Sequence, residues 1–144
     1  MGRKVVYNSR YGAYTLSGLA LNEYIKEKYP GTFIYDYRLD NSLKLLTTVI
    51  DNRFNTLYVL SEFLGETIDF DSLDKSKIVF EYFSESDIER HDPILVNIVE
   101  RLGDKAGRPY SGLKIKDIGD SLYHIDEYDG LETVITSEPS DYWK

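Results

Sequence analysis

The sequence contains no cysteine, and it has only four prolines, two histidines and one tryptophan among its 144 residues. The absence of cysteine excludes disulfide bonds, thiolate metal sites and cysteine nucleophiles. No run of apolar residues approaches the roughly 18 that a membrane-spanning helix requires. The first residues lead directly into a predicted strand and show no signal-peptide pattern. The sequence therefore predicts a soluble, unsecreted protein that has no membrane partner.

Several catalytic and cofactor-binding motifs are also missing. The two histidines, His91 and His124, do not have the spacing of a zinc site, and no Walker A lysine pattern occurs. Ser9 and Ser17 lack the Gly-x-Ser-x-Gly surroundings of a nucleophile elbow. The sequence thus assigns no metal site and no cofactor, and it leaves the catalytic residues of any enzyme unknown.

The overall composition is typical of a folded globular domain. Hydrophobic residues make up 42% of the chain and charged residues 29%, which differs clearly from a disordered composition. A chain of 144 residues also fits one domain. We expect a single domain over residues 1–144, ending in a tail over residues 137–144 whose Trp143 docks on the body or on a neighbouring subunit.

The net charge of −8 is unevenly distributed along the chain. Residues 1–60 carry eight basic and five acidic side chains, whereas residues 61–144 carry nine basic and twenty acidic ones. Binding to duplex nucleic acid requires clustered lysine and arginine, so duplex nucleic acid is not an expected partner. The basic residues of the first half leave two interpretations open, a small site for an anionic ligand or scattered solvated charges.

Tyrosine is unusually frequent, with 13 copies, seven of which lie in residues 7–37. Its large apolar ring and polar hydroxyl suit half-buried sheets, stacking sites for nucleobases and oligomer interfaces. The preference of tyrosine for β-sheets explains the same enrichment without a ligand or a partner. From the interface interpretation we expect a homo-oligomer.

A tight aromatic loop joins the first predicted strand to the first predicted helix. Residues 4–8 form a short buried strand, and Ser17 is the N-cap of a helix that runs to about residue 29. Such an arrangement directs several backbone N–H groups at one point, which is typical of an anion or phosphate site. We therefore place a candidate ligand site here, built from Asn8, Arg10, Tyr11, Gly12, Tyr14 and Ser17.

The middle of the chain predicts a second helix between strands. Residues 32–37 form a strand, and Asp40 caps a weaker helix that ends at Ile50. Residues 56–64 and 77–83 form two further strands.

The last part of the chain has the clearest local signals. Asp92 and Pro93 mark a helix start, because aspartate caps a helix and proline fits its first turn. A strand follows near residues 113–118, and Asp129 with Gly130 predicts a tight hairpin turn. Together the elements predict an α+β fold with a mixed sheet of about six strands, including a parallel pair near the start. Two main helices lie on one face, and a β-hairpin ends the domain.

Residues 87–92, Asp-Ile-Glu-Arg-His-Asp, form the segment richest in reactive side chains. Acidic, arginine and histidine side chains together can perform general acid–base chemistry or hold a divalent cation. Helix capping by Asp92 and pairing of Arg90 with a carboxylate explain the same residues structurally. We add Arg90 and His91 to the candidate ligand site. The alternative function is a small enzyme that acts on a nucleotide or phosphorylated ligand through Arg90, His91 and Asp92.

A family resemblance rests on residues 4–8, 11–12, 16–17, 83–84, 87–96, 113–115 and 125–130. They cover about half of the chain, which resembles a family of small, functionally uncharacterised proteins found mainly in bacteriophages and large DNA viruses. Residues 38–76 show no correspondence and form a family-variable region. Where the family usually has Gly-Gly-Phe-Gly-Leu-Ser, residues 12–17 read Gly-Ala-Tyr-Thr-Leu-Ser, and the missing glycines disfavour a phosphate cradle.

The resemblance implies a viral origin and a shared fold more firmly than any activity. We therefore expect a viral accessory protein in the cytoplasm of an infected host cell or in the virion. Its expected function is that of a non-catalytic binding or interaction module. The expected partner is a small anionic or nucleotide-like ligand, or a viral or host protein.

Overall fold

A computed structural model describes residues 3–47, 56–108 and 111–137 of the chain. Its two α-helices are α1 (Gly18–Lys28) and α2 (Pro93–Leu102). The strands are β1 (Arg3–Asn8), β2 (Phe33–Tyr37), β3 (Ser42–Leu45), β4 (Leu57–Leu60), β5 (Thr67–Asp69), β6 (Ile78–Phe83), β7 (Leu113–Gly119), β8 (Leu122–Tyr128) and β9 (Leu131–Ser137). Short 3₁₀ helices span Phe70–Ser72, Lys75–Lys77, Glu85–Asp87 and Gly103–Ala106. Within these described ranges, no helix is long and apolar enough to cross a bilayer.

The single α+β domain, its two main helices and its C-terminal hairpin are confirmed, but the sheets differ from the prediction. The strands form a five-stranded sheet in the order β5-β3-β2-β4-β6 and two separate pairs, β1-β7 and β8-β9. Every pairing between these strands is antiparallel. The predicted parallel pair near the start is wrong, because α1 carries the chain from β1 into a different sheet and β7 pairs with β1 instead.

The helix predicted from Asp40 to Ile50 is wrong where the structure describes it. Residues 42–45 form β3, which pairs with β2 on one side and with β5 on the other. The Asp40 carboxylate caps a turn, since it accepts hydrogen bonds from the backbone and the hydroxyl of Ser42. Pairing on both edges and burial of Leu43 outweigh local helix propensity. Residues 48–50 lie outside the described residues, as does Trp143.

The two predicted helix starts are confirmed by the geometry of their caps. The Ser17 hydroxyl accepts a hydrogen bond from the Ala20 N–H, and the Asp92 carboxylate accepts one from the Ile94 N–H. Pro93 occupies the first turn of α2. Backbone N–H groups there have no carbonyl partner within the helix, so the N–H that proline lacks costs no hydrogen bond. These local signals fix where both helices begin.

The helices and the hairpin lie on opposite faces of the β1-β7 pair. Adjacent strand residues point to opposite faces, and Val6 joins the core formed with α1 and α2, whereas Val5 packs with Ile118 and Val134 beneath the hairpin. The helical core also includes residues of β4 and β6, so α1 and α2 contact the five-stranded sheet as well. A separate apolar cluster covers the other face of that sheet.

The tip of the C-terminal hairpin packs against the loop that follows β1. Asp129 and Gly130 have φ angles of 52° and 89°, as expected for a tight hairpin turn. The Gly12 N–H donates to the Asp129 carbonyl at 3.2 Å. A Cβ atom on Gly130 would lie 1.2 Å from the Gly12 carbonyl oxygen. Only glycine at this position lets the two backbones approach so closely.

We expect Gly130→Ala to destabilise the protein more than Gly31→Ala does. Gly31 also has a positive φ angle, 78°, but a Cβ there would meet no atom within 4 Å. Gly31→Ala should lower the free energy of unfolding by about 1 kcal/mol through backbone strain alone. Gly130→Ala should cost about 2 kcal/mol more, because the backbones must also separate. Chemical denaturation measures both, and equal losses would contradict the close packing.

Candidate functional site

The structure brings three of the eight predicted site residues, Tyr14, Arg90 and His91, to one surface cavity of about 660 Å³. Tyr14 comes from the loop before α1, Arg90 and His91 precede α2, and Tyr123 of β8 completes the wall. The remaining lining residues are Glu85, Ser86, Ile88 and Glu89. Three distant parts of the chain therefore form one concave site.

The other five predicted residues do not line this cavity. Tyr11 is exposed, and Gly12 contacts the hairpin tip. Arg10 is also exposed, with the aliphatic part of its side chain against Gly112. The loop residues thus separate into Tyr14, which faces the cavity, and a second group beside the hairpin.

Ser17 and the first turn of α1 are occupied by protein groups. The Ser17 hydroxyl caps the helix and donates to the Lys105 carbonyl at 2.6 Å. The Ser17 N–H donates to the Ala106 carbonyl, and Leu16 forms a β-bridge with Gly107. Residues 105–107 therefore contact the helix end that the sequence marked as an anion site.

Asn8 is fully buried, and its side chain connects three backbone segments. Its amide nitrogen donates to the Arg10 and Gly130 carbonyls at 2.8 and 2.7 Å. Its amide oxygen accepts from the Gly112 N–H at 2.9 Å. These contacts give Asn8 a structural role that fixes the loop, the hairpin tip and the start of β7.

An ion pair joins Arg90, which is half-buried and lines the cavity, to the buried carboxylate of Glu132. The two guanidinium NH₂ groups donate to the two carboxylate oxygens at 2.6 and 2.8 Å. Glu132 is only 7% exposed and also accepts from the Asn8 N–H at 2.8 Å. The Arg90 carbonyl accepts from the Val6 N–H at 2.8 Å. The charge of Arg90 is therefore neutralised within the protein, and the pair links β1, β9 and the segment before α2.

Tyr14 stacks against the same guanidinium group. The Arg90 Cζ atom lies 3.4 Å from the centre of the Tyr14 ring, which is within cation–π range. The Tyr14 hydroxyl is buried and has no hydrogen-bond partner among the described residues. Burial raises the pKa of the Tyr14 phenol well above its usual range, although the nearby Arg90 charge opposes this shift. The Tyr14 ring thus orients the Arg90 guanidinium.

His91 lies in the middle of a hydrogen-bonded chain of three side chains. Its Nδ1 atom is 2.6 Å from the Tyr123 hydroxyl, and its Nε2 atom is 2.9 Å from a carboxylate oxygen of Glu89. When Nε2 carries the proton and donates to Glu89, Nδ1 accepts from the Tyr123 hydroxyl. Burial raises the pKa of Tyr123, and the nearby Arg3 opposes that shift. The arrangement can pass a proton between the cavity and His91.

Sequence reasoning missed Tyr123 and Glu132, both of which lie in the C-terminal hairpin. Glu132 and Val134 are two residues apart in β9, so they share one face of the strand, and both are buried. A carboxylate on a buried strand face requires a cationic or hydrogen-bonding partner. The position of Glu132 on the same strand face as Val134 could therefore have indicated from the sequence that its carboxylate has an internal partner. Nothing local distinguishes Tyr123 from other strand tyrosines.

The structure also shows that Asp92 performs a structural task. One carboxylate oxygen caps α2, and the other accepts from the Tyr24 hydroxyl at 2.6 Å. The contact therefore ties α1 to the start of α2. Among the described residues, no group of three or more potential ligand side chains could hold a metal ion.

Comparisons with known proteins found no match to the chain. No protein-family model matches the chain, and neither a curated protein nor a solved structure matches it. The viral family resemblance therefore stays a prediction, and function is inferred from the cavity and its contacts.

We expect Glu132→Gln to destabilise the fold strongly, since it leaves the largely buried Arg90 charge without its counterion. The expected loss in the free energy of unfolding is about 3 kcal/mol. Glu100→Gln is the matched control, because Glu100 pairs with Lys4 at 3.4 Å on the surface. It should change the same quantity by about 0.5 kcal/mol or less. Similar effects of the two substitutions in urea denaturation would contradict the role assigned to Glu132.

Tyr14→Phe should leave stability at pH 7 unchanged or slightly higher, because it removes a buried hydroxyl that has no partner in the described part of the chain. Above pH about 10 the tyrosines of the unfolded chain lose their protons, whereas Tyr14 in the native protein stays protonated. Ionisation of Tyr14 therefore has no effect on stability below that pH, and it increasingly favours the unfolded chain as the pH rises further.

The variant should therefore lose less stability than the wild type between pH 9 and pH 11, measured by denaturant unfolding at each pH. The control is Tyr11→Phe, which alters an exposed ring and should follow the wild type. A marked loss of stability in Tyr14→Phe at pH 7 would show that the hydroxyl makes a favourable contact.

Proposed function

We propose that the protein is a non-catalytic binding module whose ligand enters the cavity between Tyr14, Arg90, His91 and Tyr123. The observation that carries the proposal is the convergence of three distant chain segments on one concave, partly aromatic surface. Ligand sites in proteins are commonly concave and combine aromatic walls with a few oriented polar groups. The cavity volume, about 660 Å³, lies in the range of small-molecule sites.

The polar groups of the cavity are already held in place by the protein. Arg90 is fixed by Glu132 and by the Tyr14 ring, and His91 is fixed between Tyr123 and Glu89. A site whose side chains are ordered before binding loses less conformational entropy when the ligand arrives. Preorganisation of this kind supports a recognition role.

The viral part of the proposal depends on the family resemblance of about half of the chain. On that basis we propose an accessory protein of a bacteriophage or large DNA virus, acting in the cytoplasm of the infected cell or in the virion. We also propose that the protein forms a homo-oligomer.

A ligand screen on a variant with a filled cavity tests the binding role. Ser86 is exposed, lies in a 3₁₀ helix and lines the cavity, so Ser86→Trp should fill it. Ser72 is an exposed serine in another 3₁₀ helix, and Ser72→Trp is the matched control. We expect nucleotides, amino acids or small amines to shift backbone NMR signals of residues 85–91 in the wild type and in Ser72→Trp.

The same compounds should cause no shift in Ser86→Trp. If no compound class shifts these signals in the wild type, the binding role of the cavity is refuted. Shifts that persist in Ser86→Trp would place the ligand elsewhere.

An enzymatic role is the second candidate, and the chain from Glu89 through His91 to Tyr123 favours it. A carboxylate that orients an imidazole, which in turn contacts a hydroxyl, is an arrangement that supports general acid–base chemistry. The sequence prediction placed an enzymatic site in the region of Arg90, His91 and Asp92, and this proposal adds Tyr123 to it, while Asp92 caps α2. The substrate class stays a nucleotide or phosphorylated compound.

In this case His91→Ala and Tyr123→Phe should each lower turnover of the substrate by about a hundredfold or more. The measurement is the turnover rate of each variant on a panel of phosphorylated nucleosides and sugars. Tyr11→Phe serves as the control and should retain full turnover. Activity that survives both cavity substitutions would exclude this mechanism.

A further inference from the structure

We infer that the protein has a second ligand site, in a cavity of about 380 Å³ beside α1, whose ligand is a small apolar molecule with an uncharged amide-type edge. Such an edge has an N–H donor next to an acceptor atom, as in a carboxamide or a nucleobase. This α1 cavity lies between α1, β2 and the end of β3. It shares no described lining residue with the cavity of the proposed function, so the two sites are separate.

Asn22 is the buried side chain that indicates a ligand. It is only 8% exposed, and its amide makes no hydrogen bond with any described residue. The other five buried polar side chains in the described part of the chain all have hydrogen-bond partners, namely Asn8, Asp36, Ser42, Ser111 and Glu132. A buried amide without a partner lowers stability. A partner from outside the described chain therefore accounts for Asn22.

The Asn22 amide faces the α1 cavity. Asn22, Ile25 and Lys26 all line it, and residues three and four positions apart share one face of a helix. Within the described ranges, the side-chain atoms that are fully enclosed without a hydrogen-bond partner are the Tyr14 and Tyr58 hydroxyls. The amide atoms of Asn22 are not enclosed in this way, and the cavity is the opening that reaches them. A molecule in the cavity can therefore contact both the amide oxygen and the amide nitrogen.

The remaining walls of the α1 cavity are mainly apolar. They include Ile25 of α1, Tyr29, Phe33 and Ile34 of β2, and Leu46 after β3. The Leu46 N–H donates to the Ile34 carbonyl at 2.9 Å, which fixes this wall beside β2. Small-molecule sites combine such apolar walls with a few polar groups, and a volume of about 380 Å³ lies in their range. The body of the ligand is therefore apolar.

The polar edge of the ligand has to pair with both parts of the Asn22 amide, its N–H donors and its carbonyl acceptor. A carboxylate can accept from the N–H groups, but it leaves the Asn22 carbonyl without a donor. Lys26 is the one charged side chain among the described lining residues, and it is exposed, so water weakens its attraction for an anion. A donor next to an acceptor satisfies both parts, as adenine does for asparagine in the major groove of DNA.

An NMR titration of the wild-type protein with three related probes tests this ligand class. Benzamide has the donor and the acceptor, methyl benzoate has no N–H donor, and benzoate is an anion. We expect benzamide to shift the backbone signals of residues 22–26 and 33–34. It should bind about tenfold or more tightly than each of the other two, because only benzamide pairs with both parts of the Asn22 amide.

Three outcomes of this titration would overturn the inference. Equal binding of benzamide and methyl benzoate would show that the cavity takes up apolar molecules without using Asn22. Tighter binding of benzoate would make it an anion site at Lys26. No shift with any of the probes would show that it is not a ligand site.

The variant Asn22→Leu replaces the amide by an apolar group of similar volume. It should bind benzamide about tenfold or more weakly than the wild type, and its free energy of unfolding should be unchanged or higher, because an unpartnered amide is removed. The matched control is Asn97→Leu in α2, which changes an exposed asparagine and should bind benzamide as the wild type does. A larger loss of stability in Asn22→Leu than in Asn97→Leu would show that the amide has a partner within the protein, against the inference.

The variant Ser86→Trp, which fills the other cavity, separates this inference from the proposed function. It should bind benzamide at residues 22–26 as the wild type does, and loss of this binding would overturn the second site. A failure to find any ligand at residues 85–91 refutes the proposed function and leaves the α1 cavity unaffected.

A last comparison distinguishes the two sources of the amide-type edge. Adenine is titrated beside benzamide under the same conditions. Tighter binding of adenine identifies a nucleobase as the ligand group, and equal or weaker binding identifies a carboxamide.

Discussion

The buried carboxylate of Glu132 is the contact on which the site depends. It binds both NH₂ groups of Arg90 and the backbone N–H of Asn8, so one side chain of β9 fixes the end of β1 and the segment before α2. A paired charge inside a protein needs well-oriented partners, because desolvation opposes its burial. The geometry around Glu132 meets that need, and it fixes the Arg90 guanidinium at the wall of the cavity.

Local signals in the sequence predicted much of the fold. Ser17 and Asp92 cap the two helices, and Asp129 with Gly130 forms the hairpin turn, because capping and turn preferences act within a few residues. Pairing between distant strands is not encoded locally in this way. The short apolar alternation after Asp40 resembles a helix as much as a strand, and two neighbouring strands decide in favour of β3. The partner of β1 lies more than one hundred residues away in β7.

The candidate site was predictable only in part, for the same physical reason. Tyr14, Arg90 and His91 stand in segments that are unusual by themselves, an aromatic loop and a cluster of charged residues. Their partners Tyr123 and Glu132 lie in the hairpin, and no local pattern shows that β9 packs against β1. The sequence also suggested an anionic ligand from the basic residues of the first half. The internal pairing of Arg90 with Glu132 changes that balance, because it leaves the carboxylates of the cavity in excess.

The coupling between Arg90 and Glu132 is the most direct test of this account. A double-mutant cycle with Arg90→Gln, Glu132→Gln and the combined variant isolates the interaction of the two side chains from their separate effects on folding. We expect a favourable coupling energy of about 2 kcal/mol or more, with the double variant less destabilised than the sum of the single ones. Additive losses, with a coupling energy near zero, would show that the pair does not organise the site.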